Sequence, residues 1–224
     1  MLFRSPKFYN KGNIKVGTNL TKEEMTNYTT QLAVGGFLGW MNNNVKKNFD
    51  ADFQNQGNIT IKNVTTPLCN VGGVWGLHTK APAIKSGVVL TNTGNIAVEG
   101  CSLTTAYVGG IAANTLVPIT GAKVYCDLSA IGVTNFGMIT GAARTDTTLA
   151  TKCQVGGRIA TTESFKKTWD DDTEDYIEGV SPDWIELDGT NYFSYIYGSA
   201  DWTGVEGYDG CSWLSEKPAI APAQ

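Results

Sequence analysis

The sequence predicts a mainly β protein: a small antiparallel β-barrel or sandwich core, with an N-terminal arm and helix and an appended C-terminal β-hairpin subdomain. Three observations predict it. Between Lys85 and Glu163, short apolar runs alternate with Gly, Thr and Asn turn chemistry about every 8–12 residues, the rhythm of an all-β core. Strict alternation, as in Ile59-Thr-Ile61, places every second side chain on one face. Across 224 residues the chain is 42% hydrophobic but only 17% charged, with 26 glycines, so it is a folding, turn-rich sequence. The reading divides the chain into 1–50 (arm and helix), 51–163 (β core) and 164–224 (an acidic, aromatic-rich hairpin region and tail).

The arm is residues 1–20. Arg4, Lys7, Lys11 and Lys15 are interleaved with Phe3, Phe8, Tyr9, Ile14 and Val16 without helical period. Basic residues among aromatics suit an acidic protein surface, or in principle nucleic acid. The acidic balance of the whole chain argues against nucleic acid. Arg4, Lys7, Phe8, Tyr9 and Lys11 are the candidate partner-binding residues here.

Thr21-Lys-Glu-Glu24 has the form of a capping box, and Met25, Tyr28 and Leu32 follow at spacings of three and four. Together these predict a helix, interrupted at Gly35, Gly36 and Gly39 and resumed through Leu38, Met41, Val45 and Phe49. Each such glycine costs up to about 1 kcal/mol against Ala within a helix.

The β core opens at Gln54. Residues 64–83 read as a Gly- and Pro-rich loop containing Val74-Trp75. His78, the one histidine, has no ligand or carboxylate near it in sequence and reads as an ordinary hydrogen-bonding side chain. Val88-Val-Leu90 and Ile96-Ala-Val98, split by Thr-Asn-Thr-Gly-Asn, read as a hairpin. Strands at Cys101–Ile111, Val117–Asp127 and Phe136–Ala142 continue the meander.

The last quarter changes character. Residues 164–224 hold 13 acidic and 3 basic side chains, whereas 1–163 hold 14 basic and 8 acidic. The net charge of −4 therefore hides a basic end and an acidic end, which can meet across subunits. Trp184-Ile-Glu-Leu187, Asp188-Gly189 and Tyr192-Phe-Ser-Tyr-Ile-Tyr197 read as a second hairpin. Trp184, Tyr192, Tyr195 and Trp202 are its candidate contact aromatics, for a protein interface or a sugar-binding face. Residues 217–224 read as a tail or docking strap.

The chemistry-bearing patterns are sparse. Counting an EF-hand from Asp170 puts Asp175 and Ser181 where Gly and Glu are needed, so Asp170–Asp175 reads as a solvated acidic turn. There is no Gly-rich phosphate loop, nucleophile elbow or His-Glu-x-x-His. Cys69, Cys101, Cys126, Cys153 and Cys211 form no Cys-x-x-Cys, and reduced, buried thiols are expected. No apolar run approaches the ~20 residues of a membrane helix, and no secretion-signal core follows Met1. The Asn-x-Thr triplets at Asn19, Asn27, Asn58 and Asn63 are expected to be chance occurrences. These readings give no catalytic residue, no cofactor and no metal.

One resemblance stands beside them. Residues 116–159 contain Pro118-x-x-Gly121-x-x-Val124-Tyr125, Gly132-x-Thr134, Gly137-x-Ile139-x-Gly141-Ala142, the Asp/Thr-rich spacer Thr145–Thr148 and Cys153-x-Val155. This pattern resembles the small β-domain of tailed-bacteriophage head decoration (cement) proteins. The resemblance covers about a fifth of the chain and implies a β-barrel-like, non-enzymatic virion protein. Its partners would be the major capsid protein or other virion proteins, and a homo-oligomer, plausibly a trimer, would be its working form. The expected role is bridging capsomers; the alternative is a tail, adaptor or fibre component that binds a receptor or glycan.

Overall fold

The structure is a computed structural model of the whole chain. It describes residues 6–21, 24–41, 48–78, 84–115, 117–143, 150–161, 165–170, 175–182, 184–199 and 210–219. Most of its strands are parallel, and they form open sheets rather than a closed barrel. The antiparallel barrel or sandwich predicted from sequence is therefore overturned. Successive turns of the chain stack in register as coils of a β-solenoid.

Lys7–Asn10 pairs in parallel with Asp52–Asn55, which pairs with Leu90–Asn92, then Lys123–Ala130, then Gln154–Thr161, and finally Ser212–Trp213. Further along the same coils, Ile14–Val16, Ile59–Lys62 and Ile96–Glu99 stack onto the second halves of those longer strands. A second sheet stacks Thr26–Asn27 and Leu32–Gly35 on Val64–Gly72, Ser102–Gly109 and Asn135–Gly137. A third stacks Leu38–Met41, Trp75–His78, Ala112–Thr115, Thr140–Ala143 and Tyr197–Ser199. The chain thus winds through three sheets per coil.

The cause is a pair of repeats. Asn10-Lys-Gly-Asn-Ile14, Asn55-Gln-Gly-Asn-Ile59 and Asn92-Thr-Gly-Asn-Ile96 occupy one bend of three successive coils. Val34-Gly-Gly-Phe37, Val71-Gly-Gly-Val74 and Val108-Gly-Gly-Ile111 occupy another. The first glycine is required by closeness: a Cβ on Gly57 would stand 2.0 Å from the Gly12 carbonyl oxygen, and one on Gly94 2.0 Å from that of Gly57. The Val-Gly-Gly corner is as tight, since a Cβ on Gly72 would stand 1.9 Å from the Trp75 carbonyl oxygen. No side chain fits at such spacing.

Alternation then fills the interior. Ile14, Ile59, Ile96, Leu128 and Ile159 form one column, and Val34, Val71, Val108 and Phe136 another. Ile59, Ile96, Leu128 and Ile159 are almost wholly buried. Burying each such side chain is worth about 1.5–3 kcal/mol. Trp75 is fully buried and stacks on Phe49 at 5.3 Å, while Phe53 stacks with Phe8 at 5.4 Å.

Four local expectations change, the first being the loop read at 64–83, where Val64–Gly72 and Trp75–His78 are strands with parallel partners. The predicted N-terminal helix is replaced by the strands Thr26–Asn27, Leu32–Gly35 and Leu38–Met41; its stretch 42–47 lies outside the described residues. Half of the capping box does form: the Thr21 N–H donates to Glu24 Oε2 at 3.1 Å, and the Glu24 N–H to the Thr21 carbonyl at 3.1 Å. The glycines at 35, 36 and 39 and the parallel partners of coil two then outweigh a helix start. The predicted hairpin at 86–99 is one bent edge, because Leu90–Asn92 and Ile96–Glu99 each pair with Lys123–Ala130, in parallel. The predicted hairpin at 184–197 is absent. Ile185–Glu186 pairs antiparallel with Gln154–Thr161, and Tyr192–Tyr195 is a short 3-10 turn. Its Asp188-Gly189 forms an Asx turn instead, with the Asp188 carboxylate accepting from the Thr190 N–H (2.7 Å), the Thr190 hydroxyl (2.6 Å) and the Asn191 N–H (2.9 Å).

Candidate functional site: the side-chain ladders and the two ends of the stack

The most developed polar geometry runs along the stack. In an inner ladder, Asn10 Nδ2 donates to Asn55 Oδ1 and Asn55 Nδ2 to Asn92 Oδ1, both at 2.8 Å. Asn55 and Asn92 are fully buried. The bends use the remaining capacity: Asn55 Nδ2 also reaches the Gly57 carbonyl (2.9 Å), Asn92 Nδ2 the Gly94 carbonyl (3.1 Å), and the Gly94 N–H returns to Asn92 Oδ1 (3.2 Å). The ladder ends where coil four offers Val124.

An outer ladder runs beside it. The Asn58 N–H donates to Asn13 Oδ1 (2.9 Å), the Asn95 N–H to Asn58 Oδ1 (2.9 Å) and the Asp127 N–H to Asn95 Oδ1 (3.0 Å). In coil five, Arg158 Nε and Nη2 then take both Asp127 oxygens, at 3.0 and 2.7 Å. Hydrogen bonding to Asp127 raises the Arg158 guanidinium above its ordinary value. Trp184 covers the guanidinium at 4.8 Å, and Glu186 lies 3.7 Å away. This chain of groups staples coils; its carboxylate is already held on two sides.

The sequence-predicted contact residues fall at the ends of the stack. Lys7, Phe8 and Tyr9 lie in the first strand of coil one and Lys11 in the bend after it; Arg4 lies outside the described residues. At the other end, Trp184 is half-buried on Arg158, Tyr192 donates its hydroxyl to the Cys211 carbonyl (3.2 Å), and Tyr195 is half-buried against the core. Trp202 lies outside the described residues, as do 171–174 of the acidic Asp170–Asp175 run. Among the described residues the two groups are not brought together.

His78 is fully buried, 5.1 Å from the Trp75 ring and 6.2 Å from Phe49. None of the five cysteines is in a disulfide. Burial pushes the thiols of Cys69 and Cys126 up to about 12, and hydrogen bonding with Cys211, followed by burial, pushes that of Cys153 upward. Among the described residues no three His, Cys, Asp or Glu side chains gather as a metal site, and no helix is long and apolar enough to cross a membrane. The sequence reading missed both ladders. The repeated Asn-x-Gly-Asn-Ile was the signal that carries them.

No protein-family model, no curated protein and no solved structure matches this chain. The segment that carries the decoration-protein resemblance lies in two adjacent coils, with Lys123–Ala130 and Gln154–Thr161 paired in parallel. The barrel implied by the resemblance is not formed.

Proposed function

We propose that the chain is a non-enzymatic structural protein of a phage virion, serving as a rigid axial part of a tail, adaptor or fibre rather than as shell cement. The observation that carries this reading is the use made of its polar side chains. Asn55, Asn92, Asn58, Asn95, Asp127 and Arg158 all hold one coil to the next. Each coil advances the axis by about 4.8 Å, so the product of this chemistry is a stiff rod segment. The cement reading needs residues 1–20 as a free strap. Lys7–Asn10 and Ile14–Val16 are instead integral strands of the first coil, with four and three residues in register with coil two. The virion setting comes from the resemblance over 116–159.

Co-sedimentation with expanded, undecorated phage heads, and separately with purified tails, tests this. The expected result is binding to tails, with the chain left in the supernatant of heads. Stoichiometric binding to heads restores the cement role, and binding to neither particle sinks the virion setting.

A further inference from the structure

We propose that copies of this chain associate end to end, the acidic end of one seating on the basic, apolar first coil of the next. This goes beyond the virion reading and stands without it.

The distribution of exposed apolar side chains carries the inference. Among the described residues five large hydrophobics are exposed: Phe8 (50%), Leu38 (37%), Trp40 (56%), Phe193 (47%) and Trp213 (40%). The first three belong to coil one and the last two to the chain beyond Gln154–Thr161, so the coils between them present none. Sticky ends and inert flanks are the signature of axial contact. At the first coil, Phe8, Phe37, Leu38, Phe49 and Phe53 line a shallow groove of about 410 Å³. The column Phe53–Leu90 continues below it as buried core, so the groove is the open mouth of the hydrophobic interior.

Backbone chemistry points the same way. Each outer-ladder N–H donates to the side chain of the coil before it, from Asn58 to Asn13 and onward. Among the described residues the Asn13 N–H has no such acceptor, and Lys7–Asn10 is a sheet edge. A carboxylate from a second copy fits that donor, with a charge-assisted bond. Lys7, Lys11 and Lys15 are exposed on the first coil, and residues 1–20 contain four basic and no acidic side chains; the one acid that lines the groove, Asp50, is paired with Lys85 at 3.4 Å.

The matching surface is at the other end. Among the described residues that follow Gln154–Thr161, the acidic side chains Glu186, Asp188 and Glu216 are exposed along with Trp213 and Phe193, against one exposed lysine, Lys217. Two first coils face to face would set Lys7, Lys11 and Lys15 against themselves, which disfavours a closed two-fold dimer. A head-to-tail contact is heterologous and leaves each end open to the next copy, so it builds rows.

Sedimentation velocity on the full chain tests this with two charge-reversal variants, each checked for native circular dichroism. One is Lys7→Glu/Lys11→Glu/Lys15→Glu, the other Glu186→Lys/Glu216→Lys. The wild type is expected to grow in size with concentration at low salt and to dissociate near ~1 M salt, where screening acts within about 3 Å. Each variant alone should associate at least about tenfold more weakly, and their equimolar mixture should recover association, because the native acidic end of the first variant can seat on the native first coil of the second and the swapped charges can also pair. A wild type that stays monomeric at all concentrations overturns the proposal. So does a Glu186→Lys/Glu216→Lys variant that associates as well as wild type while the lysine variant does not, because first coils would then be pairing with each other. A mixture that fails to recover also overturns it.

Discussion

Replacing Asn55 by alanine removes the centre of the inner ladder. The side chain donates to Asn92 Oδ1 (2.8 Å) and to the Gly57 carbonyl (2.9 Å), and accepts from Asn10 Nδ2 (2.8 Å). Each bond is worth about 1 kcal/mol net, and partners orphaned in a buried site add desolvation cost, so Asn55→Ala should lose about 3–4 kcal/mol. Asn10→Ala, at the open end, loses one ladder bond and its acceptance of the Gly12 N–H, and should cost about 1 kcal/mol. Asn55→Asp keeps the shape but turns an oxygen toward Asn92 Oδ1, so it should be at least as damaging as alanine. Urea unfolding followed by tryptophan fluorescence separates these cases. With a slope of about 3 kcal/mol per M, Asn55→Ala should lower the midpoint by about 1 M and Asn10→Ala by about 0.3 M. An Asn55→Ala midpoint no lower than that of Asn10→Ala would falsify the claim that the ladder holds the coils together.

Gly94→Ala would push a methyl to 2.0 Å from the Gly57 carbonyl; it should cost at least about 2 kcal/mol in the same assay, while Gly87→Ala, whose added carbon meets nothing within 4 Å, should cost less despite its φ of +88°. For the bidentate Arg158–Asp127 pair, with side chains 38% and 31% exposed, a double-mutant cycle of Arg158→Met and Asp127→Asn should give a coupling of about 1 kcal/mol, and a value near zero would refute a stapling role. The Cys69 and Cys126 thiols, raised by burial from 9.0 to about 12, are protonated in the fold while the unfolded chain releases their protons above pH 9. Stability is therefore full below pH 9 and should fall by about 1.4 kcal/mol per pH unit per thiol between pH 9 and 12. Urea midpoints of Cys69→Ala/Cys126→Ala, less sensitive to alkali than wild type, check this.

The mainly β character was legible in the sequence because alternation and Gly-Asn chemistry report the pleat, but the strands within 26–41 and 64–78 were read as helix and loop. Strand direction was not legible. Ile59-Thr-Ile61 reads identically in a parallel and an antiparallel sheet, and the bend Asn92–Asn95 has the composition of a hairpin turn. What distinguishes the two is recurrence of the same bend one coil later. That recurrence was masked because ladder partners lie 45, then 37, then 32 residues apart, as the segments joining the sheets shorten. The Val-Gly-Gly corners at 34, 71 and 108 keep a constant interval and were the clearer signal. The helix reading failed for a related reason. Met25, Tyr28 and Leu32 have helical spacing, but Leu32–Gly35 finds a ready template in Cys69–Gly72, and pairing with an existing strand outweighs weak local propensity. The charge split was legible, and its described part acquired a geometry: Lys7, Lys11 and Lys15 lie in the first coil, and Glu186, Asp188 and Glu216 in segments after Gln154–Thr161.

The two halves of the stack are held differently, and this bears on how its ends behave. Coils one to three are bent at Asn-x-Gly-Asn and stapled there by amide ladders. Coils four and five run straight through that point, with Lys123–Ala130 and Gln154–Thr161 matched over all eight residues. Tyr125 and Cys126 occupy the places of the bend, and Asp127 with Arg158 converts the amide ladder into an ion pair. In a solenoid each coil is stabilised chiefly by its neighbours, so a terminal coil opens more readily than an inner one. Coil one is such a coil: its strands Lys7–Asn10 and Ile14–Val16 have one partner each, and its Phe8 is half-exposed. A second copy seated on that coil would supply the missing neighbour. Association and local stability should therefore be linked: hydrogen exchange at Lys7–Asn10 should slow with protein concentration, while exchange at Lys123–Ala130 should not change.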